Sequence, residues 1–402
     1  MDKQTHDQTN TTRPAPSRLV RWRTRILLMS GSVLFTLLLI EIFVRVSFDV
    51  LPVEIQREIQ AVQRAPWDET RLIPPLPFTE DLNIQAYIAP NFVDYPVRWG
   101  DAVFTFTTRG VEWHRAGLRS PEPIWAIDAL IIGDSFSFCW VEETDCWGWK
   151  LQTDYGWHII NAGQPGTGTG GQLAMMREIA APYEPKLIIW QMYSNDSQDD
   201  YDLARKNNAV DELQTPPPAI PPRPLVGLEK YSVVAHLINN LINPPPAPPV
   251  IHNQQIRVDG RTLMIPSGNY PPADSVIYPS VQYGWEQNII HYTEGFDYAQ
   301  SIGADILIVL IPSKEEAYRA KLTDVYDAEY WAQMGESRTR LLALCEENGW
   351  HCVDMLPHFE RAIADGETIY WGYDFHLDVS GNALVAQVVD AYIREHDLLA
   401  ER

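Results

Sequence analysis

The feature that most constrains this chain is a set of short apolar runs, each stopped by a polar or glycine-rich turn and followed by a helical stretch. The sharpest is Ala129-Leu130-Ile131-Ile132, which ends at Gly133-Asp134-Ser135. A run without polar residues fits a strand covered on both faces, and such strands belong to parallel sheets. Runs at 158–161, 186–192, 304–311 and 350–355 repeat the pattern. Helices are predicted over 145–155, 172–181, 287–302 and 328–348, with a last one near 381–396. Strand and helix in alternation predict an α/β fold, a parallel sheet with helices on both faces.

In such a sheet the carboxyl ends of the strands share one edge, where open α/β sheets place their ligands. The first run leads into Ser135 and the second into Asn161-Ala162-Gly163-Gln164-Pro165-Gly166. Asn195-Asp196 follows the third, Ser313-Lys314 the fourth, and Asp374-Phe375-His376-Leu377 comes shortly after the fifth. Singly, each has a plainer reading: a helix cap, a turn pair, a surface ion pair. Jointly they supply the nucleophile, base, orienting carboxylate and amide donors of serine acyl chemistry. The glycines of 163–171 lack dinucleotide spacing and no phosphate-loop lysine follows them, so no cofactor is expected. No Gly-x-Ser-x-Gly surrounds Ser135, which argues against the α/β-hydrolase elbow.

These blocks, in this order, resemble the SGNH (GDSL-like) hydrolase superfamily. Its Gly-Asp-Ser block matches Gly133-Asp134-Ser135, its glycine block 161–166, its Asn-Asp block Asn195-Asp196, and its Asp/His block Asp374 and His376. The resemblance runs over 127–392, interrupted by a Pro-rich insertion at 199–281. It implies a flavodoxin-like three-layer sheet. It also implies Ser135 as nucleophile, His376 as base and Asp374 as its orienting acid, with an oxyanion hole from Ser135, Gly166 and Asn195. Asp374 stands two residues before His376, where many members have three. The shorter spacing, and the stretch 311–316, are similar to alginate acetyltransferase-like proteins of a membrane-anchored branch. The expected reaction is therefore hydrolysis of a small acyl ester, such as acetyl on a carbohydrate. Transfer to a polysaccharide hydroxyl is the alternative, and a non-catalytic cell-surface binding module is the alternative of another class. Asp134 and Lys314 are expected at the site rim. Asp354 and His358 form a weaker second pair. The acidic run Asp196, Asp199, Asp200 and Asp202 reads as a solvated loop rather than a cation site. No metal is expected.

From residue 26 to residue 44 the chain is apolar except for Glu41. That length suits a bilayer core of ~30 Å, and Arg18, Arg21, Arg23 and Arg25 predict a cytoplasmic N-terminus with the remainder outside. Glu41 can pair with Arg45 one turn on. No small-x-small site follows, so an uncleaved anchor is expected over a signal peptide. The predicted organisation is a tail (1–25), a transmembrane helix (26–45), a stalk and strand region (46–126) and a catalytic domain (127–402). The stalk should hold a helix near 53–64 and a strand at 104–108, broken by Arg109-Gly110 and Ala116-Gly117. The insertion should hold a helix near 228–242, a hairpin at Asp259-Gly260, and stiff Pro-rich connectors at 215–224 and 243–249. A net charge of −22 argues against nucleic-acid binding. Cys139/Cys146 and Cys345/Cys352, each seven apart, suit either disulfides or buried thiols.

Overall fold

Apolar runs that bury both faces set the centre of the fold. A computed structural model describes residues 18–47, 76–99, 101–111, 114–120, 127–216, 227–243, 253–268 and 270–399. Five strands form one sheet: β1 (Ala129–Ile132), β2 (Ile159–Asn161), β3 (Leu187–Met192), β4 (Asp305–Leu310) and β5 (His351–Asp354). Their order is β2-β1-β3-β4-β5, parallel at every step. The chain reverses its winding between β1 and β3, which makes a switch point at their carboxyl ends.

Helices of seven residues or more are α1 (Arg18–Val46), α2 (Trp147–Thr153), α3 (Thr169–Tyr183), α4 (Asp196–Lys206), α5 (Val233–Ile242), α6 (Pro279–Ser301), α7 (Glu336–Asn348), α8 (Leu356–Ala364) and α9 (Val379–Glu395). Alternate strand residues face opposite ways. Ala129, Ile131, Leu187, Ile189 and Val309 pack with Trp147 of α2, Phe359 of α8 and Val385 of α9. Leu130, Ile132, Ile188, Trp190 and Ile308 pack with Met176 of α3, Tyr292 of α6 and Leu341 of α7. Each fully buried Leu, Ile, Val, Met or Phe side chain among these contributes about 1.5–3 kcal/mol.

The chain divides into two units. The larger holds the sheet, its helices and the antiparallel hairpins. The smaller contains α1 and α5. Trp22–Val46 of α1 is long and apolar enough to cross a bilayer. The helix already starts at Arg18, earlier than the apolar run, because arginine is itself a good helix former.

Several expectations are corrected. Arg109-Gly110 and Ala116-Gly117 do not break a strand: they lie in Arg109–Val111 and His114–Leu118, which pair with each other. Gly117 is there for close approach, since a Cβ would sit 2.6 Å from Ala89 O. The helix expected over 328–348 is two helices, Ala328–Gln333 and α7, parted at Gly335 with φ +71. The acidic run lies on α4, not in a loop. The insertion's helix and its hairpin (Asn253–Val258 with Arg261–Pro266) are present. The helix near 53–64 and most of the Pro-rich pieces fall outside the described residues. Cys139–Cys146 and Cys345–Cys352 are disulfides.

Candidate active site

β1 ends where only glycine fits. Gly133 has φ +152, and a Cβ on it would stand 2.4 Å from Gln191 Oε1 and 2.5 Å from Ser137 Oγ. Asp134 then caps the short helix Ser135–Phe138, accepting from the Phe136 amide at 2.9 Å. Ser135 is thereby the first helical residue at the sheet edge. After α8 the chain returns to that edge. Asp374 Oδ1 accepts from the His376 backbone amide at 2.8 Å and lies 2.7 Å from His376 Nδ1. The other ring nitrogen, Nε2, lies 2.8 Å from Ser135 Oγ. Asp374, His376 and Ser135 are thus joined in one line, with the carboxylate almost wholly buried.

The imidazole is held on its flanks. Trp140 stacks on it at 4.4 Å and 16°, and the Phe136 ring lies 5.0 Å away. Trp371 ties the two segments together: its Nε1 donates to Trp140 O at 3.0 Å and its amide to His376 O at 3.1 Å. Beneath Trp140, the buried Arg119 donates to the carbonyls of Phe138 and Cys139, each at 2.6 Å, and of Val141 at 3.0 Å. Burial pulls this guanidinium down to about 10, against the opposing pull of Glu143 and Glu142. Cys139, at φ +67, is bonded to Cys146 within the same segment.

The loop before His376 is pinned separately. Asp101 accepts from the amides of Gly372 at 2.7 Å and Tyr373 at 2.8 Å. Lys314 Nζ donates to Met264 O at 3.2 Å and Gly372 O at 3.3 Å, and lies 5.3 Å from the Phe375 ring centre. Burial pulls the ammonium down to about 8, although Glu315, Asp374 and Asp101 pull it up. Lys314 and Asp134, expected at an open rim, are both completely buried. The reason at Lys314 is local: Ser313 and Glu316 form a capping box that starts a short helix whose four residues all face inward.

Gly166 follows β2 in an exposed turn with φ +72. Asn195 opens α4, with Nδ2 donating to Asp199 Oδ2 at 2.8 Å. Its neighbour Asp196 is buried, accepting from Gln172 Nε2 at 2.8 Å and the Tyr193 amide at 3.1 Å. Burial pushes the Asp196 carboxyl well above the usual carboxylate range, and Asp134 adds to this. Asp200, also buried, accepts from the Gly170 amide at 2.8 Å and from Thr169 Oγ1. These carboxylates are therefore framework acceptors rather than a solvated loop. Among the described residues no group of three or more His, Cys, Asp or Glu is placed to hold a metal. Asp354 is engaged by Arg338 Nη1 at 2.8 Å and the Leu356 amide at 3.0 Å, so it is not spent on His358.

Sequence reasoning missed Trp140, Arg119 and Asp101. Trp140 carried a faint signal, an aromatic beside a cysteine five residues past the serine. Asp101 carried none.

The parallel five-stranded sheet thus carries Ser135, His376 and Asp374 together at its carboxyl edge. Residues 297–402 match the family model described as SGNH hydrolase-like domain, acetyltransferase AlgX. The part of the chain similar to that domain is the C-terminal part, which carries Asp374 and His376. No curated protein matches the chain. Among solved structures, a catalytic mutant of Axe2, an acetylxylan esterase from Geobacillus stearothermophilus, is 12% identical at a TM-score of 0.36, covering 69% of this chain and 95% of its own. The esterase EstA from Pseudoalteromonas sp. is 13% identical at 0.34, covering 67% and 98%. A member of the lipolytic protein G-D-S-L family from Veillonella parvula is 12% identical at 0.35, covering 66% and 96%. Likeness at this level carries no argument about what this chain does.

Proposed function

We propose that this protein is a membrane-anchored, extracytoplasmic serine esterase acting on small acyl esters, acetyl on a carbohydrate being the class we favour. The observation that carries the reading is the unbroken line from Asp374 Oδ1 through His376 to Ser135 Oγ, with steps of 2.7 and 2.8 Å. His376 Nε2 takes the Ser135 proton as Oγ attacks the ester carbonyl, while Asp374 keeps the second proton on Nδ1. The carbonyl oxygen gains charge and is met by the backbone amides of Ser135 and Gly166 and by the side-chain amide of Asn195, each such donor worth about 10²–10³ in turnover. As the intermediate collapses, His376 returns the proton to the departing alcohol. Water, deprotonated by the same imidazole, then releases the acid from the acyl-enzyme.

A second reading, transfer of the acyl group to a polysaccharide hydroxyl, is favoured by the similarity of residues 297–402 to AlgX. It differs only in which hydroxyl reaches the acyl-enzyme. The two core clusters on opposite faces of the sheet support a flavodoxin-like three-layer arrangement over 127–402. The apolar length of α1, preceded by arginines, supports a single span with its N-terminus in the cytoplasm and the rest outside.

Fluorophosphonate labelling tests the serine. The wild type should label, and Ser135→Ala and His376→Ala should not. A folded wild type that resists labelling would refute the enzyme reading in favour of a binding module. Product analysis with and without a glycan acceptor then separates hydrolysis from transfer.

A further inference from the structure

The smaller unit turns on one carboxylate. Glu41 lies five residues before the end of α1 and is the only ionisable residue between Arg25 and Arg45. It accepts from Arg45 Nε at 2.7 Å, as its spacing predicts. It also accepts from the amides of Val233 at 3.1 Å and Val234 at 2.9 Å and from Ser232 Oγ at 2.9 Å. These groups form the N-terminus of α5, where unpaired amides and the positive end of the helix dipole suit an anion. Arg45 Nη2 in turn donates to Tyr231 O at 3.1 Å. Both charges of the last turns of α1 are thus engaged by the start of α5, with Val44, Val233 and Val234 buried alongside.

Further along α5 the stripe that begins at the buried Val234 continues at Ile238 and Leu241, four and seven residues on, and there it is open. Leu241 is 83% exposed and Ile242 69%, and Leu228 just before the helix is 77%. Ile238, and Tyr231 before the helix, are exposed as well. At about 1.5 Å per residue, Glu41 stands only some 7–8 Å from the end of α1. If α1 crosses a core of ~30 Å, that depth is the boundary between acyl chains and headgroups, where amphipathic helices lie. We propose that α5 is a membrane-surface helix, docked beside the anchor through Glu41, with Leu228, Ile238, Leu241 and Ile242 resting on phospholipid. The inference rests on the reading of α1 as a bilayer span. Because α5 carries no Lys or Arg, the contact depends on apolar area, and neutral phosphatidylcholine suffices.

All four cysteines are in disulfides, so an introduced cysteine is the sole thiol available to a fluorophore. The full chain, reconstituted in phosphatidylcholine vesicles, is labelled with an environment-sensitive dye at Leu241→Cys, at Leu34→Cys in the middle of α1, or at the exposed Glu212→Cys. Doxyl-labelled phosphatidylcholine is the quencher. The expected result is quenching at 241 about threefold or more above that at 212, and strong quenching at 34. Glu41→Ala should reduce quenching at 241 about twofold and leave that at 34 unchanged. Quenching at 34 with none at 241 would overturn the proposal while leaving the span intact. No quenching at 34 would overturn the span reading and the proposal with it. A blue-shifted but unquenched dye at 241 would mean that protein, such as a second copy, covers the face, and would also overturn it. Unchanged quenching at 241 in Glu41→Ala would remove Glu41 from the docking.

Discussion

Asp374→Asn isolates what a single charge contributes to the proposed site. Asp374 Oδ1 faces two donors of His376, the amide at 2.8 Å and Nδ1 at 2.7 Å. An asparagine oxygen can keep both contacts, so the ring should stay near Ser135. What disappears is the attraction for the positive imidazolium that forms as Ser135 gives up its proton. With charge centres about 3.5 Å apart and an effective dielectric of about 20, that attraction is on the order of 4–5 kcal/mol. At about 1.4 kcal/mol per tenfold, the loss is roughly three orders of magnitude in kcat. If the amide turns to present its NH2 to Nδ1, the ring takes the wrong tautomer, and the loss approaches about 10⁴. The assay is initial-rate hydrolysis of p-nitrophenyl acetate, with near-ultraviolet circular dichroism to establish that the fold is kept. KM should change little, because Asp374 is buried and touches His376 rather than solvent. A fall of less than about tenfold in a folded variant would refute the claim that Asp374 orients and stabilises His376. So would a loss expressed wholly in KM.

Two further predictions follow from the surroundings of the site. Trp140→Ala removes the ring stacked on His376; stacks of this kind are worth about 0.5–1.5 kcal/mol. A loss of roughly two- to tenfold in kcat is expected, largely restored by Trp140→Phe, and wild-type kcat in the alanine variant would refute the positioning role. Asp274 is buried, and burial aided by Glu316 and Glu315 pushes its carboxyl up to about 8 from an ordinary 3.8. Its folded value lies above its unfolded one, so the stability it contributes is complete below pH ~4 and is lost as pH rises towards 8. Asp274→Asn should therefore raise the melting temperature relative to wild type more at pH 8 than at pH 5. Thermal scans showing the two proteins falling in parallel over that range would refute it.

Much of this protein could be read locally. Each strand of the sheet was visible because continuous burial writes an unbroken apolar run, as at Ala129–Ile132 and Leu187–Met192. Ser135, Asp374 and His376 were expected to meet because a parallel sheet brings strand ends to one edge, and the chain does bring them within hydrogen-bond distance. The pairing of Glu41 with Arg45 was likewise a matter of helical spacing.

What the sequence alone could not decide is which distant groups these residues meet. The acidic start of α4 looked solvated, yet Asp196 and Asp200 are buried because Gln172, Thr169 and Gly170 bring donors to them from α3. Lys314 looked like a rim residue, but the chain lays the carbonyls of Met264 and Gly372 around its ammonium. Trp140 reaches His376, and Arg119 holds the segment that carries Trp140, across separations that leave no periodic trace. The second set of partners for Glu41 comes from Ser232, Val233 and Val234, nearly two hundred residues on. The physical reason is the same throughout. Burial pattern and turn chemistry are properties of a few neighbouring residues, whereas the partner of a buried polar group is set by the path of the whole chain.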